Sequence, residues 1–134
     1  MVRAPSGAYG RTMTIQVLVA DDHPVVRAGL VSLLTTGPDI EVVATACDGA
    51  EAVELTAAHR PDVVLMDLSM PRMCGAEATR AIMAAGSRAR IVILTAFSDR
   101  SRVGAALDAG AVGYLLKDAE PRALIGAVRA AATG

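Results

Sequence analysis

Lys117 is the single lysine of a chain that carries twelve arginines. Lysine offers a compact point charge on a flexible stem, where arginine offers a planar fork. It closes an apolar run, Val112-Gly-Tyr-Leu-Leu-Lys117-Asp118. Three similar runs also end in polar residues. The run from Ile15 to Ala20 ends in Asp21-Asp22-His23, Asp62 to Met66 ends in Asp67, and Arg90 to Leu94 ends in Thr95. If these runs are parallel strands, three carboxylates, a hydroxyl and one ammonium meet at one sheet edge. Converging carboxylates repel one another unless a cation intervenes. Mg²⁺ suits such a set, taking one or two carboxylates with water and phosphate oxygens. A carboxylate can also act as a nucleophile toward phosphorus. Asp67 is the best candidate, since an apolar strand leads into it and the sharp turn Leu68-Ser-Met-Pro71 follows. Lys117 would pair with Asp67 at rest and with a phosphoryl oxygen afterwards, and Thr95 would donate its hydroxyl to that group. Each residue alone has an ordinary reading. Asp21-Asp22 would cap a helix, Thr95 would be a β-branched strand residue, and Tyr114 a half-buried strand aromatic.

These residues need a scaffold, and the chain supplies a regular one. Strand-like segments fall at about 15–20, 40–45, 62–66, 90–95 and 112–116. They are continuously apolar, as parallel strands buried on both faces should be. Helical segments lie between them. In the first, Pro24 suits an initial helical position, and Val26, Leu30, Leu33 and Leu34 form one apolar stripe that Gly37-Pro38 ends. The second opens on Asp48-x-x-Glu51, a capping-box pattern, and closes before Pro61. The third, about 75–85, should bury Ala78, Ile82 and Ala85. The fourth, about 99–109, is alanine-rich with Gly104 inside, at a cost of up to ~1 kcal/mol relative to Ala. It has few apolar anchors. The fifth, about 120–132, should bury Leu124, Ile125 and Val128. Alternating strands and helices imply a doubly wound α/β fold, a five-stranded parallel sheet between two helical layers. Ligands in such sheets bind at the carboxyl ends of the strands, where the acids, Thr95 and Lys117 all lie.

Composition narrows the function. At 134 residues and 53% hydrophobic, the chain is long and apolar enough for one cored domain. No apolar run approaches a membrane span, and the first twelve residues lack a signal peptide's apolar stretch, so a cytoplasmic location is expected. Cys47 and Cys74 are too few for a disulfide framework and are not spaced for zinc. A net charge of −1, with one Phe, two Tyr and no Trp, argues against nucleic-acid binding by this segment. Residues 1–13, rich in Gly, Pro and Ser, read as a disordered extension, leaving 14–134 as the domain.

Four quoted stretches carry a family resemblance: Val19-Ala-Asp-Asp-His-Pro24, Val63-Val-Leu-Met-Asp-Leu-Ser-Met-Pro71, Leu94-Thr-Ala96 and Gly113-Tyr-Leu-Leu-Lys117-Asp118. In this order and spacing they resemble the receiver domain of two-component response regulators, and Asp-Asp-His-Pro with Gly-Tyr-Leu-Leu-Lys-Asp is most similar to the NarL/FixJ branch. The resemblance implies a flavodoxin-like (βα)5 fold. It implies phosphoryl transfer from a sensor histidine kinase to Asp67, with Mg²⁺ held by Asp21, Asp22, Asp67 and the backbone carbonyl of Ser69. Thr95 would then move toward the phosphoryl group and Tyr114 would turn inward. The face built from the fourth helix, fifth strand and fifth helix would change in response. Ser69 and Phe97 stand where such domains tune phosphate loss, and Phe97 would shield the acyl phosphate. Such a protein would be no enzyme in the usual sense, although it catalyses its own phosphorylation and dephosphorylation. Homodimerisation is implied, as is a helix-turn-helix DNA-binding output domain, expected to lie outside this chain.

The chain also departs from the family pattern. Cys74 stands where an Asp often precedes the turn glycine, here Gly75, which should weaken the cap of the third helix by ~1 kcal/mol. Asp118 stands where many receivers have Pro, which disfavours a cis peptide after Lys117. His23 lies beside the acids, near a helix start. Three rivals share parts of the pattern. A haloacid-dehalogenase-like phosphohydrolase would want a second Asp where Ser69 stands. A flavin-binding flavodoxin would not place Asp21-Asp22 at its phosphate loop. A receiver-like module that no longer takes phosphate would lack some of the site residues, which are all present.

Overall fold

The computed structural model describes residues 14–133. The extension expected at residues 1–13 lies outside them, as does Gly134. Five strands alternate with five helices: β1 (Ile15–Ala20), α1 (Pro24–Leu34), β2 (Ile40–Ala46), α2 (Gly49–His59), β3 (Val63–Asp67), α3 (Gly75–Ala84), β4 (Arg90–Thr95), α4 (Val103–Ala109), β5 (Gly113–Leu116) and α5 (Pro121–Thr133). All strand pairs are parallel, and the order across the sheet is β2-β1-β3-β4-β5. This is the expected doubly wound, flavodoxin-like fold. The strand order reverses between β1 and β3, so the crevice opens beside Asp21, Asp22 and Asp67.

Successive side chains in a strand point to opposite faces, and the core divides accordingly. Val17, Val19, Val63, Leu65, Val92 and Leu94 pack with Leu34 of α1 and Leu124 and Val128 of α5. Leu18, Ala20, Val64, Met66, Ile91 and Ile93 pack on the opposite face with Ala52, Ala78, Ile82, Val103 and Ala106 from α2, α3 and α4. This two-sided burial is why β1, β3 and β4 read as unbroken apolar runs.

Four expectations need correction. Burial on both faces holds only for the three central strands. The outer strands β2 and β5 are largely half-buried, and Tyr114 in β5 is 45% exposed. The α1 stripe begins later than expected. Leu34 is buried, and Leu30 and Leu33 pack in part, but Val26 lies at the helix's open end and is exposed. In α3, Ala85 is the exposed residue after the last turn, where the chain already leaves the sheet. The expected fourth helix is two pieces. Phe97–Arg102 forms a 3-10 turn that buries nothing, and α4 follows with Val103 and Ala106 as its buried residues. Without apolar anchors, the first turns have no packing to hold regular α geometry.

Caps follow the sequence closely. Asp48 accepts from the Glu51 amide at 2.8 Å. The Glu51 carboxylate reaches one residue further back than a standard box, accepting from the Cys47 amide at 2.7 Å. That contact holds the Glu51 carboxyl below its ordinary range. In α3 the Glu77 carboxylate accepts from the Cys74 amide at 3.1 Å.

Candidate phosphoryl and metal site

Four strand ends, those of β1, β3, β4 and β5, and the turn after Asp67 build the site. The Asp21 amide donates to Ala46 O at 3.0 Å, which ties the end of β1 to the end of β2. Leu68 N donates to Leu94 O at 2.9 Å and Lys117 N to Thr95 O at 2.9 Å, so β3 and β5 are pinned to β4 just where the polar residues begin. Gly75 N returns to Leu68 O at 2.8 Å and closes the turn after Asp67. That closure needs glycine. A Cβ at position 75 would stand 2.6 Å from Asp67 O.

The expected acids, Lys117 and Thr95 do converge. Asp21, Asp67 and Thr95 are buried. Lys117 Nζ lies 3.1 Å from Asp21 Oδ2 and 3.2 Å from Asp67 Oδ2, bridging the two buried carboxylates. Asp22 is more open and pairs with His23, whose Nδ1 lies 3.2 Å from Asp22 Oδ1 and 3.1 Å from Asp21 Oδ1. The His23 amide also donates to Asp21 Oδ1 at 2.8 Å. Ligand atoms of Asp21, Asp22, His23 and Asp67 all fall within 4.8 Å of one another. Ser69 is exposed, and its amide donates to Asp67 Oδ1 at 3.3 Å. Thr95 Oγ1 donates to Ala96 O at 3.2 Å. Two expected residues stand apart from this cluster. Tyr114 is turned to solvent, and Phe97 is 67% exposed with the Arg100 guanidinium 4.5 Å above its ring. The Lys117–Asp118 peptide is trans.

The family described as Response regulator receiver domain matches residues 17–129. The chain belongs to this family.

The receiver is 46% identical over 120 residues to the transcriptional regulatory protein LiaR of Bacillus subtilis, covering 90% of this chain and 57% of LiaR. It is 47% identical over 119 residues to the nitrate/nitrite response regulator protein NarP of Escherichia coli, covering 89% of this chain and 55% of NarP. The chain thus spans a little over half the length of these relatives. Among solved structures, the signal receiver domain of the putative response regulator NarL from Mycobacterium tuberculosis superposes with a TM-score of 0.87 at 39% identity, covering 91% of this chain and 98% of that one. The chain is a receiver domain of the NarL/LuxR type.

Electrostatics mark Asp67 as the unusual acid of this receiver. Burial, then the neighbouring Asp21 charge, push its carboxyl up from 3.8 to about 6, against the downward pull of Lys117 and the Ser69 amide. Burial alone would lower Lys117, but Asp67 and Asp21 outweigh it and its pKa rises, so the ammonium stays charged. One Lys thus serves two buried carboxylates, and negative charge remains in excess. Asp21 Oδ2, Asp22 Oδ1 and Asp67 Oδ2 are buried, with only the Lys117 ammonium and the His23 ring nitrogen beside them. Three carboxylates against one ammonium are undercompensated, and their hard, anionic character fits a divalent cation such as Mg²⁺.

Sequence reasoning missed two residues around this cluster. Arg27 donates from Nη1 to the Asp21 carbonyl at 2.7 Å, and Arg72 pairs with Asp48. Pairs six and twenty-four residues apart leave no periodic signal. The one available clue was Asp48, visible as a helix cap with a second oxygen to spare.

Proposed function

We propose that this receiver takes a phosphoryl group onto Asp67 from the phosphohistidine of a sensor histidine kinase, in a Mg²⁺-dependent reaction. The P–N bond to the donor imidazole breaks, a P–O bond to an Asp67 carboxylate oxygen forms, and the imidazole leaves. The observation that carries this reading is the trio of buried carboxylate oxygens converging on a single, half-buried ammonium. Asp21, Asp22, Asp67 and the Ser69 carbonyl would hold Mg²⁺, which when bound offsets charge on the attacking and phosphoryl oxygens. Asp67 must be ionised to attack, and Lys117 beside it favours that form. After transfer, Lys117 moves its contact to a phosphoryl oxygen, and the Thr95 hydroxyl, which now donates only to Ala96 O, turns toward the new group.

The output follows from what is loosely held. The 3-10 turn at Phe97–Arg102 buries nothing, and Tyr114 is exposed on the outer strand. Movement of Thr95 would draw the chain after β4 inward and let Tyr114 follow, changing the face of α4, β5 and α5. Phosphorylation shifts that balance only by interacting differently with the two states. In the whole protein we place this receiver, spanning residues 14–134, before a DNA-binding output domain, in a cytoplasmic regulator that acts as a homodimer. Phosphate loss, tuned through Ser69 and Phe97, would end the signal.

Intact mass after incubation with acetyl phosphate tests the chemistry, with and without Mg²⁺, for the parent and Asp67→Asn. One phosphoryl adduct that needs Mg²⁺ and is absent in the variant is expected. If no adduct forms and beryllofluoride with Mg²⁺ leaves the amide spectrum around Asp67 unmoved, the reading fails.

A further inference from the structure

The turn that carries Ser69 is held from outside the sheet. Its feet are apolar, with Leu68 and Met70 buried, but the chain from Pro71 to Arg72 runs through solvent. Arg72 adopts φ of 65°, a left-handed conformation that a side chain with a Cβ adopts reluctantly. Something must hold it there, and the β2–α2 loop supplies two contacts. Asp48, almost fully buried, uses Oδ1 to cap α2 and Oδ2 to pair with the Arg72 guanidinium. Beside it, Gly49 lies against the Met73 carbonyl so closely that a Cβ there would stand 2.1 Å from that oxygen. The same β2–α2 segment reaches the other acids, because Ala46 O accepts the Asp21 amide.

We infer that the Asp48–Arg72 pair is a positioning strut that holds the Ser69 turn in register with Asp21 and Asp67, and thereby sets the affinity of the acidic cluster for a divalent cation. This rests on the reading of the cluster as a Mg²⁺ site. The chain of contacts is continuous: Asp21 to Ala46, two residues on to Asp48, across to Arg72, and back along the turn to Ser69 and Asp67. Removing Arg72 leaves a buried carboxylate without its cation and releases the turn from its left-handed conformation.

Mg²⁺ titration followed by backbone amide shifts tests this on the parent, Arg72→Ala, Arg72→Gly, Asp48→Asn and the Asp48→Asn/Arg72→Ala double variant. Asn keeps the helix cap, since it is among the best N-cap residues, and Gly accepts the left-handed backbone. Loss of groups that orient metal ligands lowers metal affinity ~10–100-fold. Arg72 is largely exposed, so each single variant should raise the Mg²⁺ Kd by about three- to tenfold, and the double variant no further than the worse single. A fall in urea midpoint with Kd unchanged would assign the pair a merely structural role and overturn the inference. So would parent-like affinity in Arg72→Gly, or additive losses in the double variant. If the parent itself binds no Mg²⁺, the reading of the site fails along with the strut. A binding parent with equally binding variants removes the strut alone.

Discussion

Replacing Asp67 by Asn should stabilise the metal-free protein at neutral pH, although it removes the residue assigned the central chemistry. Asp67 is 2% exposed, faces Asp21, and has its carboxyl pushed up from 3.8 to about 6 by burial and that neighbour. The folded state therefore binds the Asp67 proton more tightly than the unfolded chain. The contribution is fully present below about pH 3.8 and is lost as pH rises through about 6. Above that, the difference corresponds to roughly 3 kcal/mol held against folding. Water at the open side, where Asp22 and Ser69 reach solvent, screens part of it, leaving about 1.5 kcal/mol. Asn carries no charge to desolvate, and Lys117 keeps Asp21 as a partner at 3.1 Å. Urea unfolding in EDTA, followed by far-UV circular dichroism, should put the Asn midpoint about 0.8 M higher at pH 7.5 for a slope of ~2 kcal/mol/M. The gap should narrow between pH 6 and pH 4. Mg²⁺ should then favour the parent, since a ligand bound by the folded state adds RT ln(1 + [L]/Kd). An Asn variant less stable than the parent at pH 7.5 in EDTA, or a gap that ignores pH, would refute the electrostatic account of the site.

Three further substitutions probe separate steps of the argument. Gly75→Ala drives a Cβ to 2.6 Å from Asp67 O and 2.9 Å from Leu68 Cα, and should cost about 2 kcal/mol or more in urea unfolding; a midpoint equal to the parent's would show that the turn relaxes freely. Cys74→Asp supplies a better acceptor at the start of α3, where Glu77 already accepts the Cys74 amide, so stability should rise by ~1 kcal/mol, and a fall would contradict the cap assignment. Phe97→Ala removes an exposed ring and its contact with Arg100. Unfolding should stay within about 0.5 kcal/mol of the parent, while the phosphorylated half-life shortens; an unchanged half-life would dismiss Phe97 as a shield.

The sequence by itself determined the alternation of strands and helices, and with it where chemistry could occur. Continuous apolar runs such as Val63–Met66 read as strands because the central strands are buried on both faces. In a parallel sheet every strand ends at the same edge, so Asp21, Asp67, Thr95 and Lys117 were expected on one edge, and the order β2-β1-β3-β4-β5 made them neighbours. Glycine at 75 and the acid at 48 were also legible, since turns and caps are local. The tertiary structure alone decided which strands lie outside, and hence that Tyr114 faces solvent while Thr95 is sealed. It decided that Asp21 is buried and Asp22 open, and that one Lys answers two carboxylates. It also brought Arg72 to Asp48 and Arg27 to the Asp21 carbonyl. Local periodicity encodes which face of an element is apolar. It carries no information on what stands opposite that face, because those partners are set by how distant segments pack.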